Sequence, residues 1–208
     1  MKKEILHFSH ANGFPSLSYR VMLNELSKHY DVRWIDQVAH NPKFPVNNNW
    51  TQLRDELIHY FETHYDRPVI AVGHSLGGVL SYMVSKTRPD LVKKVIMLDA
   101  PIPDRAMSFA LRVSKALGFV DKVTPAGRTE GRKECWANRE EAIEYFKGKS
   151  LFKYVDQRCL EDYVTHGTQP CDKGICLTFK ASVEVSIYRA IPHDLHRKPT
   201  KLTVPSAM

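Results

Sequence analysis

No stretch of the sequence approaches the ~18–20 uncharged apolar residues needed to cross a bilayer, which excludes a helical membrane span. The amino end, Met1-Lys2-Lys3-Glu4 before Ile5-Leu6-His7-Phe8, has basic residues but neither the long apolar region nor the small-residue cleavage site of a signal peptide. A cytoplasmic location is expected, with Cys135, Cys159, Cys171 and Cys176 as reduced thiols. Metal-ligand spacing is lacking too: Cys159, His166, Cys171 and Cys176 match no zinc pattern, so no metal and no other cofactor is expected. The sequence has no nucleic-acid-binding motif and no interleaving of aromatic with basic residues, which sets nucleic acid aside as a partner.

What is present is enough for one domain with a substantial core, since 43% of 208 residues are hydrophobic. The net charge of +7 is uneven: residues 1–103 carry a balance of +2 and residues 104–208 a balance of +5. A basic second half is first of all a solvated surface, and it mildly favours an anionic substrate.

The first hundred residues alternate strand and helix. Ile5 to Ser9 reads as a strand, Leu17 to Tyr30 as a helix, and Asp31 to Gln37 as the next strand. Residues 38–49 carry Pro42, Pro45 and four asparagines and should be irregular. Trp50, Leu53, Leu57, Ile58, Phe61 and Tyr65 then recur at helical spacing. Strands at 68–73 and 95–98 enclose a further helix at 78–86. Repeated strand–helix–strand units imply a parallel sheet with right-handed crossovers and helices on both faces. Sites in such sheets form at the carboxyl ends of the strands.

Pro101 and Pro103 break this rhythm. The segments after them look helical: 105–117, 138–147 with Asn138 and Glu141 as a capping box, 157–166 and 177–190. The expected division is a core at 1–103, a helical lid or cap at 104–198, and the start of another core strand at 199–208, centred on 201–205.

One pentapeptide carries chemistry. Gly73-His74-Ser75-Leu76-Gly77 follows the apolar, β-branched run Pro68-Val69-Ile70-Ala71-Val72 and precedes a helix. A serine on a sharp strand-to-helix turn is a nucleophile elbow, in which the residues two before and two after the serine crowd together and must be glycine. The turn lifts the Ser75 hydroxyl clear of the sheet and aims the positive end of the helix at the reacting oxygen. The plainer alternative is a glycine-rich turn with an incidental serine.

Together with His10-Ala11-Asn12-Gly13-Phe14-Pro15 after the first strand and Leu98-Asp99-Ala100-Pro101 after a later one, this pentapeptide resembles the α/β-hydrolase family, in its lidded form. The resemblance implies an α/β fold with a mostly parallel sheet flanked by helices and a helical lid. It implies Ser75 as nucleophile, the Leu76 N–H as one oxyanion donor, and a second donor from the His10–Pro15 loop, either Asn12 or Phe14. Serine at the elbow argues for acyl transfer on a small carboxylic ester or related bond, and against carboxylate-nucleophile chemistry.

In that family an acid and then a histidine follow the nucleophile. The sequence ends inside the strand that should precede them, so the carboxyl-terminal strands and the family histidine are expected to be missing, and activity to be absent or weak. Asp99 is the candidate substitute acid, its alternative role being to fix the turn into the lid. His10 is expected to stabilise the oxyanion loop and His74 to point away from the attack face, while His193 and His196 lie near the mouth of the site. An exposed sheet edge beside residues 95–98 predicts self-association. Two further readings stay open: a non-catalytic relative that binds a small ligand, and a protein completed by a partner chain.

Overall fold

The computed structural model, which describes residues 2–196 and 202–208, opens with the expected alternation. Its elements are β1 (Ile5–Ser9), a short turn of 3-10 helix (Ser16–Tyr19) running into α1 (Arg20–Ser27), β2 (Asp31–Trp34), α2 (Thr51–His64), β3 (Val69–His74), α3 (Leu76–Thr87) and β4 (Val92–Leu98). The strands pair in parallel in the order β2-β1-β3-β4. The chain runs one way from β1 to β2 and the other way from β1 to β3. That reversal opens a crevice at the carboxyl ends of β1 and β3, where an open parallel sheet holds its site.

Alternation along β3 divides the core. Val69 and Ala71 pack with Leu53, Leu57 and Phe61 of α2 and with Val79, Leu80 and Val84 of α3. Ile70 and Val72 point the other way, against Leu6, Phe8 and Leu23 of α1. Residues 53, 57 and 61 are four apart and so share one face of α2, and all three are buried. Each such side chain contributes about 1.5–3 kcal/mol on burial.

The second part begins with α4 (Arg105–Ala116), whose N-cap Asp104 accepts the Met107 N–H at 2.8 Å. It continues through α5 (Val120–Val123), α6 (Ala126–Thr129), β5 (Cys135–Trp136), α7 (Arg139–Lys147), α8 (Gln157–Gly167), β6 (Thr168–Cys171), β7 (Gly174–Leu177) and α9 (Ala181–Arg189). Asn138 caps α7 by accepting the Glu141 N–H at 2.9 Å. Glu141 reaches back to the Ala137 N–H at 3.0 Å, one residue further than a standard capping box.

Three findings differ from the sequence reading. The segment 177–190 is not one helix: Leu177 ends a strand and the helix begins at Ala181. The cap also contains a three-stranded antiparallel sheet, β5-β7-β6. It brings together Cys135, Cys171 and Cys176, with Cys176 in disulfide contact with both others, where reduced thiols were expected. The strand expected at 201–205, whose first residue lies outside the described residues, is not formed over 202–205. The described strand there is β8 (Ser206–Ala207), which pairs in parallel with Val95 and Ile96 and gives β4 a neighbour.

A cluster built on Trp136, Phe146, Tyr163 and Leu177 forms a separate core within residues 136–177, and Phe14 of the loop after β1 packs against it.

Candidate active site

At the end of β3 the chain turns so abruptly that Ser75 adopts φ 49° and ψ −114° before α3 starts at Leu76. A non-glycine residue there carries strain of about 1–3 kcal/mol, which only an over-determined surrounding sustains. The surrounding is visible. The Ser75 N–H donates to the Leu98 carbonyl of β4 at 3.0 Å, and the Gly77 N–H donates to the His10 carbonyl at 3.1 Å. A Cβ on Gly73 would lie 2.2 Å from the Gly77 carbonyl carbon, and a Cβ on Gly77 would lie 2.1 Å from the Ser9 oxygen. Both positions therefore admit only glycine.

Ser75 is half-buried at the wall of a cavity of about 290 Å³ whose lining is mainly apolar. Asn12, Leu76, Trp50 and Tyr188 share that lining. Leu76 is the first residue of α3, where backbone N–H groups lack intrahelical partners and the helix dipole is positive. The structure thus brings Ser75, Leu76 and Asn12 to one cavity.

Phe14 goes elsewhere. Its ring packs on Phe152 and Tyr163, with centroids 5.9 and 4.7 Å away, and its N–H donates to the Ala11 carbonyl at 3.1 Å. It lines a second apolar cavity with Tyr19, His74 and Cys159. His74 lies on that side as well, with Nδ1 2.7 Å from the Tyr19 hydroxyl. Burial pulls the His74 pKa below its usual value, and the charge of Asp99 opposes this.

His10 is fully buried, and both ring nitrogens are engaged. Nε2 accepts the Val38 N–H at 2.8 Å, so Nδ1 carries the proton and donates to the Ala11 carbonyl at 2.8 Å. Burial pushes its pKa down to about 4 despite the Ala11 carbonyl. A neutral ring with both nitrogens bonded holds the loop in shape and takes no proton.

Asp99 is exposed and has φ 43°, a left-handed conformation that Asp tolerates better than most residues. His193 and His196 line a separate surface pocket with Arg105 and Arg112. Among the described residues, no histidine is hydrogen-bonded to the Ser75 hydroxyl. Two features of the site have no counterpart in the sequence pattern. Trp50 is buried in the cavity wall with φ 54°, its Nε1 donating to the Ile187 carbonyl at 2.9 Å. Glu184 of α9 accepts the Asn12 Nδ2 on its backbone carbonyl at 3.0 Å, while its carboxylate sits 2.6 Å from Arg132. Burial raises the Glu184 pKa, and Arg132 draws it back. Both features depend on contacts over more than a hundred residues, which local patterning does not carry.

Residues 8–193 match the sequence model described as the alpha/beta hydrolase family. A type I acyl-CoA thioesterase, mpaH of Penicillium brevicompactum, is 28% identical over 175 residues, 76% of this chain and 38% of its own. The (E)-2-((N-methylformamido)methylene)succinate hydrolase of Acinetobacter baylyi is 30% identical over 141 residues, 63% of this chain and 52% of its own. The chain thus spans between about a third and a half of these curated relatives. Among solved structures, an E-2-(acetamidomethylene)succinate hydrolase superposes with TM-score 0.73 over 99% of this chain and 72% of that one, at 20% identity. A thioesterase domain from the curacin biosynthetic pathway does so with TM-score 0.68 over 98% and 72%, at 16% identity. At such identity the structural likeness concerns the fold.

Proposed function

The chain belongs to the alpha/beta hydrolase family, and from that premise we propose that it is a serine hydrolase acting on a small carboxylic ester or related acyl bond, thioesters included. The observation that carries this reading is the strained Ser75 backbone at the wall of an apolar cavity, between a glycine-locked turn and a helix amino end. The Ser75 oxygen attacks the carbonyl carbon, forming the C–O bond as the carbonyl π electrons move onto oxygen. The Leu76 N–H and Asn12 stabilise that oxyanion, and each donor lowers the barrier by about 3 kcal/mol. Ser75 gives its proton to solvent as it attacks. Collapse breaks the acyl C–O or C–S bond, the departing alkoxide or thiolate takes a proton from solvent, and water then releases the acid from the acyl-enzyme. Asn12 is the better second donor because it shares the Ser75 cavity and its Nδ2 has a second proton beyond the one given to the Glu184 carbonyl, whereas Phe14 lines the other cavity and its single N–H is engaged. The names of the thioesterase relatives bring thioesters into the substrate class.

A general base bonded to Ser75 is the part that the described residues do not supply. We therefore expect these 208 residues to acylate slowly. The same observation favours a second reading, a relative that holds an acyl ligand in the cavity without turnover.

Exposure of the purified chain to a fluorophosphonate, followed by intact-mass analysis, separates the two. A single adduct on the parent and none on Ser75→Ala supports the hydrolase. A folded parent that stays unlabelled, yet binds a fatty acid or ester in the cavity by calorimetry, supports the second reading.

A further inference from the structure

Away from the Ser75 cavity, the cap sheet gathers three thiols on one face. Cys135 of β5 stands directly opposite Cys176 of β7, and Gln169 of β6 stands opposite Cys176 on the other side. Cys171 is two residues beyond Gln169 and so shares its face, diagonal to Cys176. The three Sγ atoms all lie within 4.8 Å of one another, and all three residues are half-buried and open to solvent. They are separated by 41 and 5 residues in sequence, a spacing without a recognisable pattern.

The scaffold beneath is rigid. Gly174, at φ 106°, seats the β6–β7 turn so closely on β5 that a Cβ there would lie 2.3 Å from the Ala137 oxygen and 2.4 Å from the Trp136 oxygen. The Leu177 N–H donates to the Glu134 carbonyl at 2.8 Å, and Trp136 of edge strand β5 and Leu177 of central strand β7 are both buried in the neighbouring core. Backbone packing thus holds the sulfurs together without help from a ligand.

Cys176 contacts both neighbours, but a sulfur forms one disulfide at a time. Any single disulfide leaves a third thiol at the cluster unused. One cation uses all three. Sulfurs bound at ~2.3 Å to a common ion stand ~3.8–4.0 Å apart, so reduction must first open both disulfide contacts of Cys176, which the side chains can do within the 4.8 Å cluster.

We propose that Cys135, Cys171 and Cys176, when reduced, bind one thiophilic divalent cation of the zinc type, with water as the fourth ligand. Binding releases three thiol protons and leaves a site charge of −1, and no electron is transferred. The site is a structural clasp for the cap, remote from the lining of the Ser75 cavity.

The test is titration of the reduced full chain with cadmium, without oxygen, following the ultraviolet thiolate-to-cadmium charge-transfer band. The band should saturate at one equivalent, persist in Cys159→Ser, and disappear or need at least about tenfold more cadmium in Cys176→Ser. Cys171→Ser, at the end of β6, carries the same test if Cys176→Ser loses its circular dichroism. The proposal is overturned if the folded reduced chain gives no band, or if the band survives both substitutions. It is equally overturned if intact mass shows a disulfide among these cysteines that withstands the reductant.

Discussion

The Tyr19 hydroxyl lies 2.7 Å from Nδ1 of His74, the residue immediately before the candidate nucleophile. The same oxygen accepts the Ala11 N–H at 3.3 Å, which leaves the O–H to donate to the imidazole. One phenol therefore ties the loop after β1 to the elbow. Tyr19→Phe should leave both partners short of a hydrogen bond in a partly buried setting and cost about 1–3 kcal/mol, read as a lower urea midpoint with unchanged slope. Unaltered stability would show that water replaces the hydroxyl.

The elbow glycines should tolerate nothing larger. Gly73→Ala and Gly77→Ala each drive a methyl into backbone that cannot yield, so losses at or above the top of the ~1–3 kcal/mol overpacking range are expected. Gly148→Ala is the control: φ there is −73° and the nearest atom to a new Cβ is 3.6 Å away. It should shift stability by no more than ~0.5 kcal/mol. Thermal unfolding of the three variants distinguishes a packing requirement from general sensitivity.

Ser75 was legible in the sequence because its neighbourhood is local: strand, turn and helix are consecutive, and the two glycines face each other across four residues. The parallel pairing of the sheet followed from the same alternation, whereas its strand order did not. The cap sheet was not legible. β5 is two residues long, and β6 contains Pro170 and polar residues without a period of two. The pairing of β5 with distant β7 is set by packing. Glu56 was hidden for a similar reason. It occupies a turn of an amphipathic helix where charge normally meets water, yet it is buried and accepts the Ala39 N–H at 2.9 Å.

Acid should destabilise the fold through two histidines. Burial, aided by neighbouring histidines, pushes the His7 pKa down to about 3, and burial pushes that of His10 down to about 4. Above the unfolded value of 6.5 their full contribution is present. As pH falls from there toward 4, the unfolded chain takes up protons that the folded chain refuses, and stability drops by up to ~1.4 kcal/mol per pH unit for each. His7→Asn, which keeps a partner for the Tyr65 hydroxyl 2.6 Å from Nδ1, should flatten this acid limb. Glu56 acts in the opposite sense. Burial raises its pKa to about 7 from 4.5, so its contribution is greatest below 4.5 and declines as pH rises to about 7. Glu56→Gln should remove that decline. Denaturant midpoints from pH 4 to 8 for the three proteins check both signs.

Arg132 and Glu184 form a mostly buried ion pair at 2.6 Å, beneath the loop that carries Asn12. Arg132→Met leaves the Glu184 carboxylate uncompensated and should cost about 3–5 kcal/mol, whereas the double change Arg132→Met with Glu184→Leu should recover much of it. A double-mutant cycle by chemical denaturation reads the coupling. Additive single losses would mean that the pair contributes only its separate packing.

Phe14 sits in the loop after β1, yet its ring belongs to the core of the cap. Two residues earlier, Asn12 lines the cavity at Ser75. The placement of that side chain is therefore braced by rings and carbonyls that lie more than a hundred residues further along the chain, Phe152 and Tyr163 through Phe14 and Glu184 directly. Any displacement of the Trp136–Tyr163 cluster must either shear the Phe14 stack or carry Asn12 with it.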